Sequence, residues 1–386
     1  MTKLGNFKNP TQITFGSEAV NELSNIISEN KFENILIITD KGIKDAGLVD
    51  SITRQLKEAK YHIYDKTQPN PTVQNCIEAT EITKKNNIDL VVAIGGGSSI
   101  DVAKAVCLLN NNDGDIIEYE GVDKFENDIL PLVAIPTTAG TASEVTHVTV
   151  ITDEKREYKV TIGGIRLAPK WALLDPKLTT SLPPHITAAT GLDALVHAIE
   201  SYTSKAATPI SKSLAREAIR KISSNLRQAV YDGENLTARD NMLMGSLLAG
   251  LAFSNTRLGN CHALSHPISA VYGVPHGVAN SVLIPFVMDY NAYAVPELFR
   301  DIAEDMGQNL EGHTLMEKAK KAVDAVRELS EDIGLPQDFS DYNVDEKQID
   351  KMSKDAFLSG NIAVNPRQTS IDDLKSLYKQ SISGEI

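Results

Sequence analysis

The chain has 386 residues, with 51 acidic against 38 basic side chains and a formal net charge of −13. At about 150 residues per domain this length predicts two domains, each with a sizeable core. The acidic balance, without any Lys/Arg block, argues against nucleic acid or an anionic membrane as the main partner.

Three scattered cysteines, Cys76, Cys107 and Cys261, have no C-x-x-C spacing. They predict no disulfide framework and fit a reducing compartment. The opening M-T-K-L-G-N-F-K-N-P lacks the apolar run of a signal peptide, and no apolar stretch approaches the roughly 20 residues of a membrane helix. The expectation is a soluble, cytoplasmic protein.

In chain order, Thr11 to Phe15 reads as a short strand, Ser17 to Asn30 as a helix, and Asn34 to Thr39 as a buried strand ending on Asp40. A helix over Val49 to Ala59, a strand over Tyr61 to Tyr64 and a helix over Val73 to Asn86 continue the alternation. Asp89 to Ile94 is a second continuous apolar run, followed at once by G-G-G-S-S-I-D-V-A-K-A-V, a glycine turn opening a helix. Apolar strands without polar alternation, separated by helices, imply a parallel sheet covered on both faces. Leu130 to Ile135 adds a strand that ends in P-T-T-A-G-T-A-S-E-V-T. Val148 to Thr152 and Tyr158 to Ile162 flank a charged turn and predict a hairpin, and Trp171 to Leu174 reads as the last strand. After Leu182-Pro183-Pro184 the hydrophobic period becomes helical. The expected plan is therefore an α/β domain over 1–182 and an all-helical domain over 183–386.

The histidines concentrate the chemistry. Three of the eight lie in G-N-C-H-A-L-S-H-P-I-S-A-V-Y-G-V-P-H-G, from Gly259 to Gly277. His262 and His266 are four apart, on one helical face, and Gly273 and Pro275 break the helix before His276. Upstream, G-L-D-A-L-V-H-A-I-E sets Asp193 and His197 at the same spacing. Imidazole is the commonest metal ligand, and the two stretches can supply Asp193, His197, His262 and His276 to one ion. Each of these histidines taken alone is more simply a hydrogen-bonded core residue. Cys261 reads as small buried filler beside His262.

Gly95-Gly96-Gly97-Ser98 stands where a strand ends and a helix begins, so backbone N–H groups and the helix dipole can hold a phosphate. The loop is neither G-x-G-x-x-G nor a Walker sequence, and a tight turn without a ligand is the other reading.

D-A-L-V-H followed by H-A-L-S-H-P and P-H-G resembles the iron-containing (group III) alcohol dehydrogenases. That resemblance runs along nearly the whole chain. It implies a Rossmann-like dinucleotide-binding α/β domain with a parallel sheet, followed by an all-α metal-binding domain, a plan shared with dehydroquinate synthase. It implies NAD and Fe2+ as cofactors, with Zn2+ the other ion that fits, a small alcohol or aldehyde as substrate, and a homo-oligomer.

By the same resemblance Gly95, Gly96, Gly97, Ser98 and Asp101 belong to the pyrophosphate loop. Thr137, Thr138, Thr141 and Ser143 contact the adenine and nicotinamide sides, and Lys159 approaches the nicotinamide ribose. Asp40 would lie near the adenosine ribose, where a carboxylate favours NAD over NADP; a helix N-cap is its other reading. His266 falls outside the family's ligand set and is a candidate proton relay or nicotinamide-side group, its other reading being a residue that hydrogen-bonds behind the ligands. Phe253 lines the nicotinamide and substrate space.

Arg257, where many members of the family carry a small neutral residue, is a candidate reader of an anionic aldehyde bearing a sulfonate, phosphonate or carboxylate. The competing reading of Arg257 is a structural or solvent-facing side chain. The competing functions are a neutral alcohol or diol dehydrogenase of the propanediol, lactaldehyde or butanol type, and a metal- and NAD-dependent lyase of the dehydroquinate synthase type. Absence of H-E-x-x-H argues against a metal-dependent hydrolase.

Overall fold

A computed structural model describes residues 5–156 and 158–384. The chain divides into two compact units, one running Asn9–Leu182 and the other beginning at Pro183. Residues just before Asn9 group with the second unit rather than the first: the Lys8 N–H donates to Asn255 Oδ1 at 2.7 Å, and Asn255 Nδ2 donates back to the Lys8 carbonyl at 3.1 Å.

The first unit is built on six parallel strands, β1 (Gln12–Phe15), β2 (Asn34–Ile38), β3 (Lys60–Tyr64), β4 (Leu90–Gly95), β6 (Leu132–Pro136) and β9 (Trp171–Leu174), in the order β1-β9-β6-β4-β2-β3. Every residue of β4 and β6 is buried, because helices cover both sheet faces and leave no polar side to alternate with. Ile35, Ile37, Val92, Ile94, Val133 and Ile135 face one core, and Leu36, Ile38, Val91, Ala93, Leu132 and Ala134 the other. Each buried Val, Leu or Ile side chain there contributes about 1.5–3 kcal/mol.

The expected hairpin forms, with β7 (Val148–Asp153) antiparallel to β8 (Tyr158–Gly163). It does not join the main sheet. It pairs instead with the two-residue strand β5 (Gly121–Val122) in a separate three-stranded sheet.

Two expected helices of this unit are broken. The first is a 3-10 turn over Ala19–Glu22 leading into α1 (Leu23–Asn30); the second is α3 (Leu48–Thr53) ending in a 3-10 turn. Between them lies α2 (Lys41–Asp45), which begins directly after Asp40. α4 (Val73–Asn86) opens on a capping box between Thr72 and Asn75, and α5 (Gly97–Asn111) opens on Gly96 with no side-chain cap.

The second unit is helical. α6 (Pro184–Thr203) is buried at every position from Gly191 to Thr203, as a helix apolar nearly all round must be, and it packs with α7 (Pro209–Tyr231) and α8 (Leu236–Thr256). α9 (Asn260–Tyr272) ends on Gly273, and α10 (His276–Ala292) starts three residues later. α11 (Pro296–Asp305) is pinned to α7 where Arg216 and Arg220 both donate to the buried Asp305 carboxylate. α12 (Leu315–Asp332), α13 (Ile349–Phe357) and α14 (Ile371–Ser383) complete the unit. No helix among the described residues is long and apolar enough to cross a membrane.

Candidate metal centre and cofactor loops

Three helices of the second unit bring the candidate ligands together. Asp193 lies inside α6, His262 in the first turn of α9 and His276 at the first position of α10. Asp193, His262 and His276 each present a ligand atom, and these atoms lie within 4.8 Å of one another. His262 Nε2 is 3.5 Å and His276 Nε2 3.9 Å from Asp193 Oδ1.

His197, one turn beyond Asp193, stands beside this trio. Its Nδ1 is 4.0 Å from Asp193 Oδ2, and its ring is stacked between Phe253 and His262 with both centroid separations at 4.5 Å. His266, one turn past His262 and half-buried, turns its ring toward His276 at a centroid distance of 5.3 Å.

Charge at the cluster suits a cation. Burial works against ionised Asp193, yet His197, His262 and His276 hold its carboxyl well below the usual range. Burial likewise opposes a charge on His262, but the carboxylates of Glu200 and Asp193 outweigh it and push its pKa up to about 9. The field that draws a proton to this ring also draws a divalent ion, which must displace that proton on binding. Imidazole and carboxylate donors suit Fe2+ and Zn2+. The residues present therefore fit the metal expected from the sequence.

Close backbone packing sets where His276 sits. A Cβ on Gly277 would lie 2.4 Å from the Ala189 carbonyl oxygen, so only glycine lets the start of α10 press this closely on α6.

In the first unit the predicted loops meet. Thr138 and Thr141 pack against the faces of Gly96 and Gly97 where side chains would otherwise sit. The Thr137 N–H donates to the Gly95 carbonyl at 3.1 Å. Without a side-chain cap, the first-turn N–H groups of α5 keep the polarity that favours phosphate.

Asp40 does serve as the N-cap of α2, its Oδ1 accepting from the Ile43 N–H at 3.0 Å. Its Oδ2 points to the glycine loop, 3.5 Å from where a Cβ on Gly95 would be. The two readings of Asp40 are thus compatible, one on each oxygen.

Asp101 and Ser143 are engaged in bracing. Ser143 Oγ donates to Asp101 Oδ1 at 2.6 Å, the Val150 N–H donates to Asp101 Oδ2 at 3.0 Å, and the buried Lys104 donates to Ser143 Oγ, Thr146 Oγ1 and the Val148 carbonyl. Burial lowers Lys104 to about 8 and raises its neighbour Glu144 to about 7.

One element escaped the sequence reading altogether. The P-N-P-T stretch from Pro69 to Thr72 approaches the glycine loop and the hairpin: Ser98 Oγ donates to the Pro69 carbonyl at 2.6 Å, and Lys159 Nζ donates to Asn70 Oδ1 at 3.1 Å.

Arg257 is exposed at the C-terminal end of α8, its guanidinium lying over Gly360. Among the described residues no hydrogen bond joins it to the ligand cluster. Its backbone, at φ 59° and ψ −175°, occupies a region held almost solely by glycine.

A parallel α/β unit with an uncapped glycine loop, in one chain with a helical unit carrying a carboxylate and imidazole cluster, is the equipment of a metal-dependent oxidoreductase. The chain belongs to the iron-containing alcohol dehydrogenase family. Residues 10–176 match the domain described as iron-containing alcohol dehydrogenase, and residues 187–382 match the C-terminal domain of the Fe-containing alcohol dehydrogenase family.

It is 42% identical over 372 residues to the 1,3-propanediol dehydrogenase of Citrobacter freundii, covering 95% of this chain and 96% of that one. A crystal structure of 1,3-propanediol oxidoreductase superposes with a TM-score of 0.96 at 39% identity, covering 98% of this chain and all of the other. The sulfoacetaldehyde reductase of Bifidobacterium kashiwanohense, solved in complex with NAD+, gives a TM-score of 0.90 at 32% identity over 98% of this chain and 99% of that one.

Proposed function

We propose that this oxidoreductase interconverts a short primary alcohol and its aldehyde with NAD(H), using Asp193, His197, His262 and His276 to hold the metal. The observation that carries the proposal is the convergence of Asp193, His262 and His276 from three helices. When bound, Fe2+ or Zn2+ supplies a Lewis acid to the substrate oxygen, and NAD supplies the hydride acceptor.

The remaining work falls to this chain's own side chains. Phe253 fixes the plane of His197 by stacking. His266, close to His276 and half-buried, is suited to relay the substrate proton toward solvent. Asp40 Oδ2 beside Gly95 accepts from a ribose hydroxyl and repels a 2′-phosphate, which supports NAD over NADP. The glycine loop receives the pyrophosphate, Thr137, Thr138 and Thr141 contact the adenine and nicotinamide sides, and Lys159, hydrogen-bonded to Asn70, approaches the nicotinamide ribose.

Chelation is expected to abolish NADH-dependent reduction of short aldehydes such as propanal, and ferrous ion to restore it. Loss of absorbance at the NADH band gives the rate. Full activity in metal-free protein would overturn the proposal and leave a metal-independent reaction.

An anionic aldehyde as the preferred substrate is the second reading, supported by one observation. Holding a non-glycine residue in the Arg257 conformation costs about 1–3 kcal/mol, and strain of this kind is retained where a side chain serves a purpose. If that purpose is to pair with a sulfonate or carboxylate, Arg257→Ala should weaken use of the anionic aldehyde by about 1.5–3 kcal/mol in kcat/KM and leave propanal nearly untouched. Equal effects on both substrates would make Arg257 structural and favour a neutral alcohol or diol.

A further inference from the structure

We infer that Glu200 is a positioning residue that fixes the tautomer of His262, keeping the proton on Nδ1 so that Nε2 faces Asp193 and His276 as a bare donor. The inference rests on the metal-site reading above. Glu200 follows Asp193 by seven residues on α6, which places the two carboxylates on one helical face. Its side chain is 4% exposed, and a glutamate this buried needs committed partners.

Both carboxylate oxygens are committed. Oε1 accepts from the Cys261 backbone N–H at 2.7 Å, a group that can only donate. Oε2 lies 2.5 Å from His262 Nδ1. The loop is shaped for this approach, since a Cβ on Gly259 would come within 2.9 Å of Oε1.

The opposite end of the ring points to the same tautomer. Asn280, fully buried on α10, has its Nδ2 2.6 Å from Asp193 Oδ1, an acceptor, while its Oδ1 faces the Cys261 thiol at 3.6 Å. These two neighbours orient the amide. Its Nδ2, which only donates, then lies 3.1 Å from His262 Nε2 and 3.2 Å from His276 Nε2. An acceptor at Nδ1 and a donor at Nε2 both favour the ring with its proton on Nδ1. In that form the lone pair of His262 shares one space with the ligand atoms of Asp193 and His276. A carboxylate behind a ligating imidazole fixes ring orientation and raises its basicity.

Glu200→Gln tests this with almost no change in volume. Glutamine replaces two acceptors with one acceptor and one donor. Satisfying the Cys261 N–H then turns the amide NH2 toward Nδ1 and drives the ring proton to Nε2. Zinc affinity, measured by competition with a chromophoric chelator, is expected to fall about 10- to 100-fold. The metal-free variant, which loses one partner of the buried Glu200–His262 pair, should melt at a lower temperature than wild type. Above the His262 pKa, the 15N ring shifts of His262 should reverse. Those shifts in zinc-loaded wild type report the tautomer directly and do not depend on the variant folding. Wild type that binds no divalent ion would overturn the metal-site reading itself. Wild type that binds zinc, with Glu200→Gln equal in affinity and in tautomer, or with zinc on Nδ1, would overturn this inference alone.

Discussion

His276→Ala is expected to lose bound metal and with it at least about three orders of magnitude in kcat/KM, because a Lewis acid supplies several kcal/mol of transition-state stabilisation and each 1.36 kcal/mol is tenfold. The imidazole stands at the first position of α10 and is one of only three groups whose ligand atoms converge within 4.8 Å among the described residues. Alanine leaves the helix start intact, so the fold should persist and the loss should be chemical. His266→Ala is the paired control. Its ring adjoins His276 but is assigned no ligand role, so this variant should keep the metal and lose turnover. Metal analysis of both purified variants decides the assignment, and equal metal losses would reject it.

Gly277→Ala is expected to cost about 2 kcal/mol of stability in the helical unit and to weaken metal retention as well. The added methyl would sit 2.4 Å from a carbonyl oxygen of α6. A backbone atom cannot rotate out of the way, and overpacking of this kind costs about 1–3 kcal/mol, occasionally more. Better helix propensity returns at most about 1 kcal/mol. The relief available is for α10 to move off α6, which carries His276 away from Asp193. Urea unfolding with and without zinc measures both effects. A variant as stable as wild type and equally stabilised by zinc would show that the helices adjust freely.

Much of the fold was legible because its signals are local. The apolar runs Asn34 to Thr39 and Asp89 to Ile94 have no polar alternation, and that alone implies strands covered on both faces. The i, i+4 spacing of Asp193 and His197 is equally local, as is the break that ends α9 at Gly273. What stayed hidden depends on partners far along the chain. Glu200 is visible in the sequence one further turn beyond His197, but its role depends on His262, 62 residues away. Asn280, four residues after His276, carries the same helical signal and went unread because an asparagine is seldom counted with ligands. The P-N-P-T loop is legible only as a turn, since its link to Lys159 spans 89 residues. The two-residue strand β5 has no periodicity to detect, so the separate sheet of the hairpin could not be foreseen.

The strand order has a consequence for how the chain is made. β1 pairs with β9, Gln12 opposite Trp171, so β1 has no partner strand until almost the whole α/β unit has been synthesised. The residues just ahead of it wait longer, because Lys8 bonds to Asn255. An unpaired strand is a template for the wrong neighbour, and this one is only four residues long. That brevity limits the ladder any nascent chain could form with it. The segment ahead of β1 is thus fastened only after α8 has been made, 247 residues further along the chain.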